Sequence, residues 1–339
     1  MGTPVNRRVA LARVPQGMPQ TDDFTLVDEP IGTPGAGELL LRTIWLSMDP
    51  YQRNWMAGAR NYGTAAAPGA TVIGRAVSEV VASNDLRFVP GDIVCGETGW
   101  QTHPVVSADA VEAVDASLAP VSTALGVLGS PGLTAWVGMV DVGKPARGET
   151  VVVSAAAGAV GSVAGQVARN MGARVVGVAG DPAKCRHVVD DLRFDACVSH
   201  RDPDLGAALA RECPGGVDVY FDNTGGPVTD AVYGLLARNA RIALCGLVAE
   251  YGASDARGHD LRPLLASQAT LKAFSVRRNL HRMPAWRRQA SAWIREGALV
   301  YREDVVAGIE RAPEAFGRML VGRTLGKALV RVAEDAPGR

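Results

Sequence analysis

Charge of one sign is missing from this chain. Its 35 basic side chains are balanced by 35 acidic ones, so no overall field draws it to nucleic acid or to an anionic membrane surface. Long hydrophobic runs are missing too. No stretch reaches the ~20 apolar residues that span a bilayer, and the opening MGTPVNRRVALARVPQG lacks the unbroken apolar core of a signal peptide. A cytoplasmic protein acting on small molecules is the expectation. Cysteine is scarce: Cys95, Cys185, Cys197, Cys213 and Cys245 are odd in number, scattered and free of any Cys-x-x-Cys. That pattern argues against a disulfide frame or a structural zinc site, and we read the five as small buried apolar residues. The histidines, His103, His187, His200, His259 and His281, include none paired with a cysteine or glutamate at ligand spacing, so no catalytic metal is expected.

What is present suits a globular protein of two packed lobes, since 339 residues with 47% hydrophobic and 21% charged side chains exceed one compact domain. The first third reads as short strands punctuated by Gly and Pro, with ELLLRTIWLSMDP, ATVIGRAVSEVVAS and GDIVCGETGWQTHPVV forming a mostly antiparallel β unit. From about residue 126 the rhythm changes. Strands expected at ETVVVSAAA, ARVVGVAG, DACVSH, VDVYFDNTG, ARIALCGLV and LKAFSV alternate with helices, which means an α/β, doubly wound parallel sheet of the Rossmann type. The helix after the first strand carries Val160, Val163, Ala164, Val167, Ala168 and Met171 at spacings of three and four, an apolar stripe ending at Gly172. PAWRRQASAWIREGAL reads as an amphipathic helix, and a final strand in LGKALVRV completes a tail returning to the first lobe.

Between the first strand and its helix lie Ala155, Gly158, Ala159, Val160 and Gly161. A small residue serves the tight turn, Gly158 lets a pyrophosphate approach the main chain, and Gly161 lets helix and strand pack closely. The free amides at the helix start would hold the phosphates. Which dinucleotide binds turns on the tip of the second strand. Asp181 stands ~20 residues past Gly161, where an acid would select NAD. Yet Gly180 fits the strand tip itself, with Asp181 capping the next helix, Lys184 in its first turn reaching a 2′-phosphate, and Arg201 adding charge. NADP is favoured over NAD.

The blocks WLSMDPYQR, GSPGLTAWVG, AAAGAVGSVAGQVA, VDVYFDNTGG, ARIALCGLVAEY and LGKALV, in this order over nearly the whole chain, resemble the zinc-free medium-chain dehydrogenase/reductase superfamily. The likeness is to its leukotriene B4 dehydrogenase, prostaglandin reductase and alkenal double-bond reductase branch. The resemblance implies a GroES-like β-rich catalytic domain at 1–125, a Rossmann domain at 126–284 and a return to the catalytic domain at 285–339, with the substrate cleft at their junction. It implies NADPH (NADP) as cofactor, an unsaturated carbonyl as substrate, and a homodimer built by edge-to-edge extension of the Rossmann sheets. Carried over by position, Lys184 contacts the 2′-phosphate, Asn223 and Thr134 lie along the cofactor, and Tyr51 and Tyr251 line the cleft. Three positions depart from the family pattern: His200 replaces a tyrosine beside the phosphate, Asp181 a serine, and Thr324 an asparagine near the nicotinamide.

The reaction this implies is hydride transfer to the β-carbon of an unsaturated ketone or aldehyde, without a metal. Hydrogen bonds would steady the enolate oxygen, and a proton would reach the α-carbon from the cofactor's ribose hydroxyl or from Tyr251. Two alternatives stay open: a quinone reductase of the same architecture, and a protein that binds NADPH without turnover. Trp45, Trp55 and Trp136 read as core. Arg277, Arg278, Arg282, Arg287 and Arg288 around Trp286 read as a solvated helix face, or alternatively as a contact for an acidic substrate.

Overall fold

Runs such as Thr150–Val153 and Arg174–Ala179, rich in valine and almost wholly buried, make sense only where both faces of a strand are covered, as in a parallel sheet flanked by helices. The computed structural model describes residues 5–57, 66–251 and 258–334; Met1–Pro4 of the opening segment lie outside them. The chain divides into two compact units, one of residues 1–125 with 303–339 and one of residues 126–302.

In the second unit six parallel strands, Thr150–Val153, Arg174–Ala179, Ala196–Ser199, Val217–Asp222, Leu236–Leu244 and Thr270–Ala273, lie in the order 3-2-1-4-5-6 when numbered along the chain. The direction of winding reverses between the first and fourth strands, whose residues Val151–Val153 and Val219–Phe221 pair. A crevice therefore opens at their carboxyl ends. The helix Gly161–Asn170 follows the first strand, but it buries every residue from Gly161 to Ala168 instead of showing one stripe, while Met171 at its end is exposed. The polar side is covered because Gln166 clamps Val300, donating to its carbonyl at 2.8 Å and accepting its amide at 2.7 Å. Asn170 bonds the carbonyl of Ala298.

That clamp corrects the expected return to the first unit at 285. The helix Met283–Arg295 belongs to the second unit, where Trp286 is fully buried and donates to the carbonyl of Val127 at 2.8 Å. The change of unit comes at 303. Nor is the basic run around Trp286 simply solvated. Arg282 lies 4.5 Å over the ring of Trp136 and pairs with Asp141, and Arg287 bonds the carbonyl of Leu128; Arg277, Arg278 and Arg288 are the exposed members.

The first unit is β-rich. Its main sheet runs through Glu303–Ala307, Lys327–Arg331, Glu38–Ser47, Arg75–Ser83, Ile93–Glu97 and Val111–Ala113, with Val105–Ser107 also on Glu38–Ser47, and a separate hairpin pairs Val5–Leu11 with Phe24–Pro30. Only the first two strands of the path are parallel. Trp100, fully buried, stacks on Phe24 and meets Phe316 edge-on at 5.5 Å. Trp55 joins that core, whereas Trp45 and Trp136 are half-buried.

Two helical glycines give opposite expectations. A methyl at Gly165 would lie 1.9 Å from the ring of the buried Phe194, so Gly165→Ala should lower unfolding free energy by about 1–3 kcal/mol, the overpacking cost outweighing better helix propensity. At Gly317, inside the helix Ala312–Leu320, nothing stands within 4 Å. Gly317→Ala should raise stability by roughly 0.5–1 kcal/mol. Urea titration of the two variants checks both signs.

Candidate functional site

The turn after the first strand is shaped by one carbonyl. Ala155 adopts φ +49°, a left-handed conformation tolerable in a residue with only a methyl side chain. Its carbonyl accepts the Gly158 amide at 2.9 Å. A methyl on Gly161 would come within 2.3 Å of that same oxygen, whereas one on Gly158 would meet only that oxygen, at 3.2 Å. The two glycines thus differ in degree: Gly161 is required by the protein's own packing, and Gly158 is only tightly approached. Gly158, Ala159 and Val160 are half-buried, and the helix begins without a side-chain cap or an acid in its first turn. Amides left to an outside acceptor at a helix start suit a pyrophosphate.

Across the crevice the fourth strand ends in Asp222, followed by Asn223; the two are 1% and 7% exposed. The Asp222 carboxylate collects neutral donors: the hydroxyls of Tyr220 at 3.0 Å and Thr229 at 2.7 Å, the amides of Thr224 and Gly225 at 2.9 Å each, and Ser154 at 3.4 Å. Asn223 ties the first strand to the fourth, its side-chain amide donating to the Ser154 carbonyl at 2.7 Å and its backbone amide to the Ser154 hydroxyl at 2.8 Å. Burial, followed by the Asp222 charge, pushes the Tyr220 phenol well above its usual range and the Cys245 thiol up to about 12. Beside this knot a Cβ on Gly246 would stand 3.3 Å from the Asn223 carbonyl and 3.7 Å from the Tyr251 hydroxyl, so Asn223 and Tyr251 flank one loop. Thr134, on the helix Ser130–Val137, donates to the Ser130 carbonyl at 2.7 Å. Ser154 and Asp222 carry this arrangement, and sequence reading assigned neither a role.

At the tip of the second strand, Asp181 caps the helix Pro182–Arg186 by accepting the Lys184 amide at 2.9 Å. One oxygen of that acid is thus held by its own helix. The His200 amide bonds the Ala179 carbonyl, and a Cβ on Gly180 would sit 3.3 Å from His200 Nε2. Burial lowers the His200 pKa, and the charges of Arg201 and Lys184 lower it further. The three basic residues therefore share one small region at the strand tip, with His200 an uncharged imidazole at neutral pH. A dianion is what such a cluster fits.

Tyr51 and Thr324 belong to the first unit. Tyr51 opens the helix Tyr51–Met56 and donates to both carboxylate oxygens of Glu97, at 2.8 and 3.0 Å. Burial, then the charges of Glu97 and Asp49, raise its pKa well above the phenol range. The segment before it is pinned by Lys327, 4% exposed, which donates to the Met48 carbonyl at 2.7 Å and to Asp49 at 2.6 Å; Ser47 also donates to Asp49. Thr324 is half-buried in the turn leading to Lys327–Arg331. This ion pair is the physical link between the Met-Asp-Pro-Tyr and Leu-Gly-Lys blocks, which sequence reading noted without connecting.

Residues 7–114 match the family model described as N-terminal domain of oxidoreductase, and residues 159–294 the one described as zinc-binding dehydrogenase. Among the described residues no group of three or more His, Cys, Asp or Glu could hold a metal ion, so the zinc of that description has no ligand set there. The chain is 42% identical to the NADPH-dependent curcumin reductase of Escherichia coli over 97% of its length and 98% of that protein's. It is 35% identical to the NADP(+)-dependent 2-alkenal reductase of Nicotiana tabacum over 97% and 98%. The solved structure of CurA in complex with NADPH from Vibrio vulnificus superposes with a TM-score of 0.92 at 38% identity, covering 97% of this chain and all of that one. The chain belongs to the medium-chain dehydrogenase/reductase superfamily, in its zinc-free reductase branch with the prostaglandin and alkenal reductases.

Proposed function

We propose that this protein is an NADPH-dependent oxidoreductase that reduces the carbon-carbon double bond of α,β-unsaturated ketones and aldehydes. The observation that carries the cofactor half is the strand tip, where Asp181 is spent on a helix cap while Lys184, His200 and Arg201 gather. Kinship supports the substrate half. Curcumin and 2-alkenals, named for two relatives, both present a double bond conjugated to a carbonyl.

The residues we assign to NADPH are Ala155, Gly158, Ala159, Val160 and Gly161 at the pyrophosphate, Gly180, Lys184 and His200 at the 2′-phosphate, and Asn223, Thr134 and Thr324 toward the nicotinamide. Bound there, NADPH supplies the hydride that the β-carbon accepts. The remaining need is a hydrogen-bond donor for the carbonyl oxygen as it gains charge. Tyr51 is poorly suited, because its proton is held on Glu97; the role left to it is contact with the substrate's apolar body. Tyr251, whose hydroxyl lies over Gly246 beside Asn223, is the donor we propose, both of that hydrogen bond and of the proton that completes the reduction.

A homodimer is part of the reading. Among the described residues Thr270–Ala273 pairs on one side only, with Leu236–Leu244, and is exposed along its length; Leu271 and, on the preceding helix, Leu265 are exposed at 40% and 82%. An open, partly apolar edge of this kind is one that proteins normally cover or pair. No helix among the described residues is long and apolar enough to cross a membrane, and five free thiols suit a reducing compartment. The cytoplasm is the location we propose.

Four measurements bear on these assignments. With NADPH and NADH offered separately against a 2-alkenal, an aryl enone and a quinone, we expect saturated carbonyl products and a preference for NADPH. Lys184→Ala should raise the KM for NADPH roughly 10- to 100-fold, the worth of one charge-assisted contact, and leave that for NADH unchanged. Equal effects on both would remove Lys184 from phosphate binding. Tyr251→Phe should lower kcat by about 100-fold, near the low end of what a positioned proton donor contributes; an unaltered kcat would send proton delivery elsewhere. Light scattering should give twice the chain mass, falling to the chain mass in a Leu265→Glu, Leu271→Asp variant, and a monomeric parent would end the dimer reading.

A further inference from the structure

Two cysteines separated by twelve positions, in different elements, meet at the strand tip. Cys185 lies on the helix Pro182–Arg186 and Cys197 on the strand Ala196–Ser199, with their Sγ atoms 3.0 Å apart. Both are half-buried, not sealed in a core, which corrects the reading of all five cysteines as buried apolar fillers. A disulfide needs its sulfurs at ~2.05 Å, about 1 Å closer, a displacement that a short helix can supply. The geometry points to Cys185 and Cys197 as an oxidisable dithiol, a modification site that a hydroperoxide closes into a disulfide and a thiol reductant reopens.

The order of events follows from the two surroundings. Burial, and then the neighbouring Cys185, raise the Cys197 thiol far above its usual range, so Cys197 keeps its proton. Cys185 stands between Lys184 and Arg186 in sequence, and we assign it the first attack, made by the nucleophilic form of a cysteine. Its attack on the hydroperoxide forms a sulfur-oxygen bond as the peroxide bond breaks, giving a sulfenic acid and an alcohol, or water from hydrogen peroxide itself. The Cys197 sulfur then displaces the sulfenic hydroxyl, the sulfur-sulfur bond forms, and water leaves with the Cys197 proton. Each sulfur gives up one electron, and the peroxide takes both.

The consequence lies one residue away. Lys184 precedes Cys185 in the same helix turn, and His200 and Arg201 follow the strand that holds Cys197. Drawing that helix onto the strand resets the spacing of the cations around the 2′-phosphate. This part rests on the NADPH reading; formation of the disulfide does not.

The test uses the full chain, reduced and then treated with hydrogen peroxide. Expected are a peptide pair joined through Cys185 and Cys197 in a non-reducing digest, ahead of oxidation at the other three cysteines, and loss of that pair in Cys185→Ser and Cys197→Ser. The KM for NADPH should rise roughly three- to ten-fold, as for partial loss of one charge-assisted contact, with that for NADH little altered. Dithiothreitol should reverse the change in the parent, and neither serine variant should show it. Peroxide that leaves both thiols open to alkylation, or carries Cys185 to sulfinic acid without the link, overturns the site. A link that leaves the KM for NADPH unmoved overturns its coupling to the cofactor. Failure of the NADPH reading would show separately, as no preference for NADPH in the reduced protein.

Discussion

A carboxylate buried among neutral hydrogen-bond donors holds the second unit together at the carboxyl ends of its first and fourth strands. Asp222 is 1% exposed and is served by three hydroxyls and two backbone amides. A buried charge is tolerable on those terms because each neutral donor carries part of the desolvation cost, and each donor left without its acceptor would cost about 1–3 kcal/mol. The result is geometric. Ser154 and Thr224 are fixed on either side of the point where the sheet reverses, Asn223 bonds Ser154, and the loop bearing Gly246 and Tyr251 is held by the backbone carbonyl of Asp222, which accepts the amides of Cys245 and Gly246. The glycine-rich turn and the proposed proton donor are both positioned from this one anchor.

Much of the fold is legible in the residue pattern because the parallel sheet is buried on both faces. TVVV, RVVGVA and VDVYFD have no other stable placement, and the Gly158 to Gly161 turn falls between a strand and a helix as its chemistry requires. Asp222 was not legible as an anchor, since an acid after an apolar run looks like the end of a strand, and only the fold brings Ser154, Tyr220 and Thr229 to it. Cys185 and Cys197 likewise look scattered until helix and strand are laid side by side. The amphipathic helix at 283–295 shows why boundaries read least well: its periodicity states that one face is buried but not against which neighbour, and Trp286 chose Val127.

The two glycines of the turn separate what the protein needs from what its ligand needs. Gly161 is excluded from being anything larger by the Ala155 carbonyl alone, with no ligand considered. Gly158 meets that carbonyl less closely, at 3.2 Å, which is compatible with the ligand-facing role proposed for it. The same distinction sorts the two acids of the cofactor region. Asp181 is used by its own helix amide and Asp222 by its own strand ends, which leaves the strand tip basic in character even though an acid stands at the position where a ribose-binding one is expected.

The order of strands in the first unit bears on how the chain is made. Lys327–Arg331 lies between Glu303–Ala307 and Glu38–Ser47 in that sheet, and its lysine is the cation that holds the Met48–Asp49 segment. A strand near the far end of the chain is thus an interior strand of a sheet begun near its start. During synthesis the second unit, continuous from 126 to 302, emerges whole and can fold as it leaves the ribosome. The first unit must wait with an open sheet edge, and Asp49 without its lysine, until residues 327–331 are added.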